Sequence, residues 1–158
     1  MKPRIIARSY REAAHFLPRH TNLAVLSLGS PGSDPPPGFD PYDKAHLRLV
    51  FNDIDFVAPV LRESEDYTCP SEASTRFILQ QADKLFERDL VYVHCRAGVS
   101  RSTAAAFMLR CALHSPGMEP ECWEETLQDR PIARPNRAMV RYADKILSRN
   151  GRMVSCLE

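Results

Sequence analysis

Apolar residues fall along this chain in short continuous runs and in longer stretches of helical spacing, and the two patterns alternate. Ile5–Arg8 reads as a short strand. Ser9 with Glu12 makes the Ser-x-x-Glu signature of a capping box, opening an amphipathic segment that runs to about Leu17. Leu23–Leu28 is a compact apolar run followed by Gly29, the pattern of a parallel strand buried on both faces. A strand, a helix and a further strand in that order imply a right-handed crossover. Ser30 to Asp43 carries five of the thirteen prolines and can be neither helix nor central strand, so it is read as a surface loop. His46–Phe51 alternates and then turns apolar, a third strand whose end delivers Asn52-Asp53-Ile54-Asp55. Beyond a polar loop over Arg62–Thr68, Pro70 is placed to open a helix in which Phe77, Ile78, Ala82, Leu85 and Phe86 recur on one face.

Leu90–Val93 predicts the central strand. The helix after it, with Ala104, Ala105, Ala106, Phe107, Met108, Leu109 and Ala112, is apolar nearly all round and should lie buried across the sheet until Pro116-Gly117 ends it. Glu119–Leu127 and Ala138–Leu147 read as two more amphipathic helices, joined by the segment 129–136. Strands alternating with helices, with three helices at the end, predict one α/β domain over 1–158 with a central, mostly parallel sheet flanked by helices. Sites in such sheets form outside the carboxyl ends of the strands, where Cys95 and Asp53 both fall.

Between the central strand and its helix stands His94-Cys95-Arg96-Ala97-Gly98-Val99-Ser100-Arg101-Ser102. The N-terminus of the helix aims free N–H groups and positive potential back into this loop, so an anion is the expected occupant. Gly98 lets the chain take positive φ and curl successive amides inward, and Arg101 closes the ring with a two-point fork. A cysteine beside a helix N-terminus and a guanidinium is the setting that favours a nucleophilic thiolate. The competing reading is a structural cysteine at a strand end with a solvated arginine after it. That reading leaves the glycine turn and the adjacent hydroxyl without a purpose.

The stretch resembles the active-site loop of the cysteine-based protein tyrosine phosphatases, and its setting matches the compact, bacterial-type dual-specificity branch. His94, Cys95, Arg101 and Ser102 match that pattern of His-Cys, five variable residues, Arg and a hydroxyl. The resemblance implies a (phosphotyrosine protein phosphatase)-like fold and a phosphocysteine mechanism. Cys95 would be nucleophile, residues Arg96, Ala97, Gly98, Val99, Ser100 and Arg101 the phosphate cradle, and Ser102 a donor to the departing thiolate. His94 would order the loop. Leu49-Val50-Phe51-Asn52-Asp53 resembles the place where that branch carries its general acid, with Asp55 as competitor. The spacing from Asp53 to Cys95 is longer than compact members show, a surplus assigned to Arg62–Thr68. Asn136 resembles a residue near the hydrolytic water and equally suits an N-cap. No segment builds a deep phosphotyrosine-recognition loop, which favours dual specificity. Arg96 adds a cation of the kind lipid phosphatases use, Val99 adds none, and RNA triphosphatases favour Asn where Ser100 stands. A phosphoinositide phosphatase, a non-catalytic phosphate-binding module and a sulfurtransferase remain as alternatives.

Charge narrows the partners. Lys plus Arg number 21 against 20 acids, so nothing global points to nucleic acid or an anionic membrane. The expected partner is a phosphorylated protein or a small phosphomonoester. Cys69, Cys95, Cys111, Cys122 and Cys156 are odd in number and irregular in spacing, which suits neither a disulfide scaffold nor a zinc site. A reducing cytoplasm is the expected setting, with neither metal nor cofactor implied, and Cys69 or Cys111 as candidate partners for an oxidised Cys95. No leader or membrane-spanning run is evident. The basic series Arg130, Arg134, Arg137, Arg141, Lys145, Arg149 and Arg152 is read as a solvated helix face rather than a ligand rim.

Overall fold

The structure is a computed structural model that describes residues 2–55 and 69–158; the expected loop over Arg62–Thr68 lies outside them. Four strands, β1 (Arg4–Ser9), β2 (Ala24–Gly29), β3 (His46–Val50) and β4 (Leu90–Cys95), form an all-parallel sheet in the order β1-β4-β2-β3. Every residue of β2 is buried, as its unbroken apolar run requires. One face carries α1 (Tyr10–Phe16), where Ala13 and Leu17 pack with Val25 and Tyr92. Ala24, Leu26, Leu28, Val91 and Val93 point to the other face, against α4 (Arg101–Leu113). Eleven residues of α4 are buried, matching the lack of a polar stripe.

Strand β1 lies at the sheet edge, and its outward backbone groups are covered by side chains. Asp129 Oδ2 accepts from Ala7 N–H at 2.9 Å, Arg110 donates to Ile5 O, and Arg8 donates to Ala7 O at 2.7 Å. The Ser9–Glu12 capping box forms as expected and turns the end of β1 directly into α1.

Three local expectations are corrected. Ser71, not Pro70, opens the next helix: α2 (Glu72–Gln80) starts from a reciprocal Ser71–Ser74 cap, with Pro70 just outside. The expected continuous helix breaks at Gln81, whose N–H is shared among the carbonyls of Phe77, Ile78 and Leu79 before α3 (Ala82–Leu85) begins. Arg149 is no solvated residue. It is 4% exposed and donates to Glu119 Oε2 at 2.6 Å, Cys111 O at 2.6 Å and His114 O at 2.8 Å. Glu119 starts α5 (Glu119–Asp129), and burial alone would raise its carboxyl, but hydrogen bonds from Arg152 and Arg149 hold it below the usual carboxylate range.

After α6 (Arg137–Ile146) the chain makes one turn that periodicity did not reveal, α7 (Arg152–Ser155). The Asp144 carboxylate holds it, accepting from the N–H groups of Gly151 at 2.7 Å and Met153 at 2.8 Å. Cys111 is fully buried against Cys122, and that contact together with burial pushes its thiol up. It stands ten residues past Arg101 on α4, about 15 Å along the helix from the loop that holds Cys95. Among the described residues no helix is long and apolar enough to cross a membrane.

Candidate active site

At the carboxyl end of β4 the chain leaves the sheet at Cys95, passes through 96–100 and re-enters helix at Arg101. The fate of the loop carbonyls shows how it is shaped. Cys95 O accepts from His94 Nδ1 at 3.1 Å and Arg96 O from Tyr10 N–H at 3.1 Å. Arg130 donates to Gly98 O at 2.9 Å through Nε and to Ala97 O at 3.4 Å through Nη2. Val99 O accepts from Arg134 N–H at 2.8 Å, and Ser100 O from Asn136 N–H at 3.1 Å. Every carbonyl from 95 to 100 is therefore occupied by surrounding protein. Because a trans peptide points its C=O and N–H in opposite directions, the amides that follow turn inward and form a nest. Gly98 stands at φ +71°, and a Cβ there would meet Ser9 N at 2.6 Å and Arg130 Nη2 at 2.7 Å. The end of β1 and Arg130 both press on this residue.

Cys95 is 3% exposed at the base of the loop. Its Sγ lies 3.1 Å from Ser102 Oγ and accepts from Gly98 N–H at 3.3 Å. Arg101 is 4% exposed, with Nη1 donating to Phe51 O at 2.7 Å and Ser30 Oγ at 3.1 Å. Its Nε is buried without a partner among the described residues. An orphaned guanidinium donor costs stability unless an anion completes it. The fork expected of Arg101 is thus divided: Nη1 ties the arginine to Phe51, the residue after β3, and to Ser30, while Nε has no partner among the described residues.

The two aspartates part company. Asp53 Oδ1 accepts from Ser100 Oγ at 2.6 Å and from Asn136 Nδ2 at 2.9 Å, so it is held against the loop. Asp55 Oδ1 accepts from Arg137 N–H at 2.7 Å and caps α6. Asn136 does two things at once: its Oδ1 accepts from Met139 N–H at 3.0 Å as the N-cap, while its Nδ2 holds Asp53. Both readings of that residue fit. Arg96 and Ala97 keep their side chains exposed and enter the loop through backbone.

Behind the cysteine, His94 is 1% exposed, with Nε2 2.6 Å from Ser27 Oγ, which in turn accepts from Arg48 Nη1 at 2.7 Å. Burial pushes the imidazole down to about 4, and the nearby Arg48 and Arg101 add to this against the Cys95 carbonyl contact. The ring is neutral at pH 7. Since Cys95 O can only accept, Nδ1 carries the proton and Nε2 accepts from Ser27. Folding keeps His94 unprotonated while the unfolded chain takes up a proton below about 6.5, so this residue's contribution is intact above that pH. Stability should fall as pH drops from about 6.5 to about 4, by about 3 kcal/mol from this residue. Urea midpoints of wild type and His94→Asn across that range check it, the variant showing the shallower slope.

Arg130, Ser27, Arg48 and Ser30 were not anticipated from spacing. Arg130 belongs to the basic series that the sequence reads as a solvated face. Together with Tyr10, Arg11 and Arg96, Arg48 lines a cleft of about 420 Å³ that opens over Cys95.

No protein-family model matches the chain, and no curated protein sequence does. Solved structures do. Human DUSP28 superposes with a TM-score of 0.55 at 19% identity over 92% of each chain. PTPMT1 in complex with PI(5)P gives 0.59 at 18% identity over 93% of this chain and 94% of that one. The Cydia pomonella PTP-2 phosphatase gives 0.58 at 19% identity, covering 90% and 84%. The fold is that of the protein tyrosine and dual-specificity cysteine phosphatases.

Proposed function

We propose that this protein is a phosphomonoester hydrolase working through a phosphocysteine, a protein tyrosine or dual-specificity phosphatase of one domain. The observation that carries this reading is the amide nest around Cys95 Sγ, held open by outward carbonyl partners and flanked by the unpartnered Arg101 Nε. Cys95 attacks phosphorus in line, and the nest and Arg101 hold the three equatorial oxygens as charge spreads over them. As the P–O bond breaks, Asp53 gives its proton to the leaving oxygen. Water then attacks the phosphocysteine, Asp53 takes its proton, and the S–P bond breaks to return the thiolate, to which Ser102 donates. Ser100 and Asn136 aim Asp53. His94, neutral and tied to Cys95 O, positions the loop.

Arg11 and Arg96, which line the cleft with Asp34 and with an Arg48 engaged by Ser27 and Ser33, also suit a second reading, a phosphoinositide headgroup with more than one anionic group. Five free thiols support a reducing, cytoplasmic setting. The test is phosphate release from phosphotyrosyl and phosphoseryl peptides and from phosphoinositides, with thiocyanate formation measured alongside. Phosphate release from a peptide is expected. Thiocyanate formation without it, or anion binding without turnover, overturns the reading.

A further inference from the structure

A second concave surface lies beside the site just described. Arg4, Ile6 and Arg8 alternate along β1 and so share the face that looks toward α1. Across from them stand Arg11, His15 and Arg19, recurring every fourth residue through α1 and the turn after it. Between the two rows runs a groove of about 760 Å³, floored by Phe16 and Tyr92. Four arginines and two histidines line it against one carboxylate, Glu12, which is already paired with Arg130 at 2.9 Å. Arg8 is paired with Asp129, but Arg4, Arg11 and Arg19 have no carboxylate partner among the described residues. A chain whose net charge is only +1 has concentrated cations here.

The groove leads to the catalytic cleft. Arg11 lines both, and the upper end of β1, Ser9, is in register with Cys95. From Arg4 to Arg8 the strand spans about 13 Å, the reach of about four extended residues.

We propose that this groove docks an acidic segment of the phosphoprotein substrate, lying beside the phosphorylated residue held over Cys95. The proposal rests on the phosphatase reading. Carboxylates of the segment meet the two arginine rows, and its backbone lies over the Phe16 and Tyr92 floor. A concave surface suits an extended peptide, whereas a bilayer is flat and is gripped by protruding apolar side chains.

The test combines binding with turnover. A fluorescein-labelled, unphosphorylated Glu-rich octapeptide is titrated into wild type and into the double variant Arg4→Glu/Arg19→Glu, with phosphatidylserine vesicles as a separate probe. Reversing two rim charges should weaken the peptide about tenfold, and high salt should do the same to wild type. KM for a phosphotyrosyl peptide with a Glu-rich flank should rise by a similar factor, with kcat/KM on a small aryl phosphate unchanged. Equal peptide affinity in the two proteins overturns docking, as does binding of vesicles but not peptide. Should the reversal prevent folding, Arg4→Gln/Arg19→Gln takes its place, with a loss of about threefold expected and unchanged affinity again fatal. If wild type hydrolyses no phosphate ester yet binds the peptide in this charge-dependent way, the phosphatase reading fails and the docking surface stands.

Discussion

Cys95→Ser is expected to abolish turnover, by about 10⁴-fold or more, while tungstate still binds at close to wild-type affinity. The two halves of the result have different causes. Anion binding is expected to depend on the amide nest and Arg101, and both are held by partners other than the thiol: Tyr10, Arg130, Arg134 and Asn136 on the carbonyls, Phe51 and Ser30 on the guanidinium. A serine side chain fits beside Ser102 without disturbing them. Covalent attack, in contrast, needs an anion at that atom, and an aliphatic hydroxyl does not supply one at neutral pH. Single-turnover phosphate release and tungstate calorimetry measure the two separately. Turnover within about tenfold of wild type would remove Cys95 from the mechanism.

Asp53→Asn should slow an alkyl phosphate or phosphotyrosine about 10²–10⁴-fold and an activated aryl phosphate far less, because protonation matters most for a poor leaving group. The alkaline limb of the pH–rate profile, where a general acid loses its proton, should flatten. Its acid limb should persist, since the nucleophile must still ionise. Asp55→Asn should leave both limbs in place, because Asp55 is engaged with the N-terminus of α6 and not with the loop. A flattened alkaline limb in Asp55→Asn alone would move the acid role two residues along the chain.

The strand-turn-helix around Cys95 was legible because all of it is local. An apolar run, a glycine needing positive φ, and an arginine at a helix start lie within one short stretch, and so does the Ser9–Glu12 cap. For the same reason the buried character of β2 and α4 followed from composition alone. The aspartates show where that kind of reading stops. Asp53 and Asp55 have the same side chain on the same loop, and no periodicity separates them. What does so is Asn136, far along the chain, which reaches one and not the other. Arg149 and Arg130 looked like solvated charges for an equivalent reason: their acceptors, Glu119 and the loop carbonyls, sit about thirty residues away.

By itself, then, the sequence determined the strand-turn-helix around Cys95, the positive-φ glycine within it and the cap that opens α1, since capping, turn conformation and burial are set by near neighbours. Tertiary structure alone decided the insertion of β4 between β1 and β2, the outward anchoring of the loop carbonyls, the tie from Arg101 Nη1 to Phe51 O, and which of the two aspartates is held against the loop. Each of these is a pairing between groups distant in the chain, and its free energy is gained only once packing has brought both partners together.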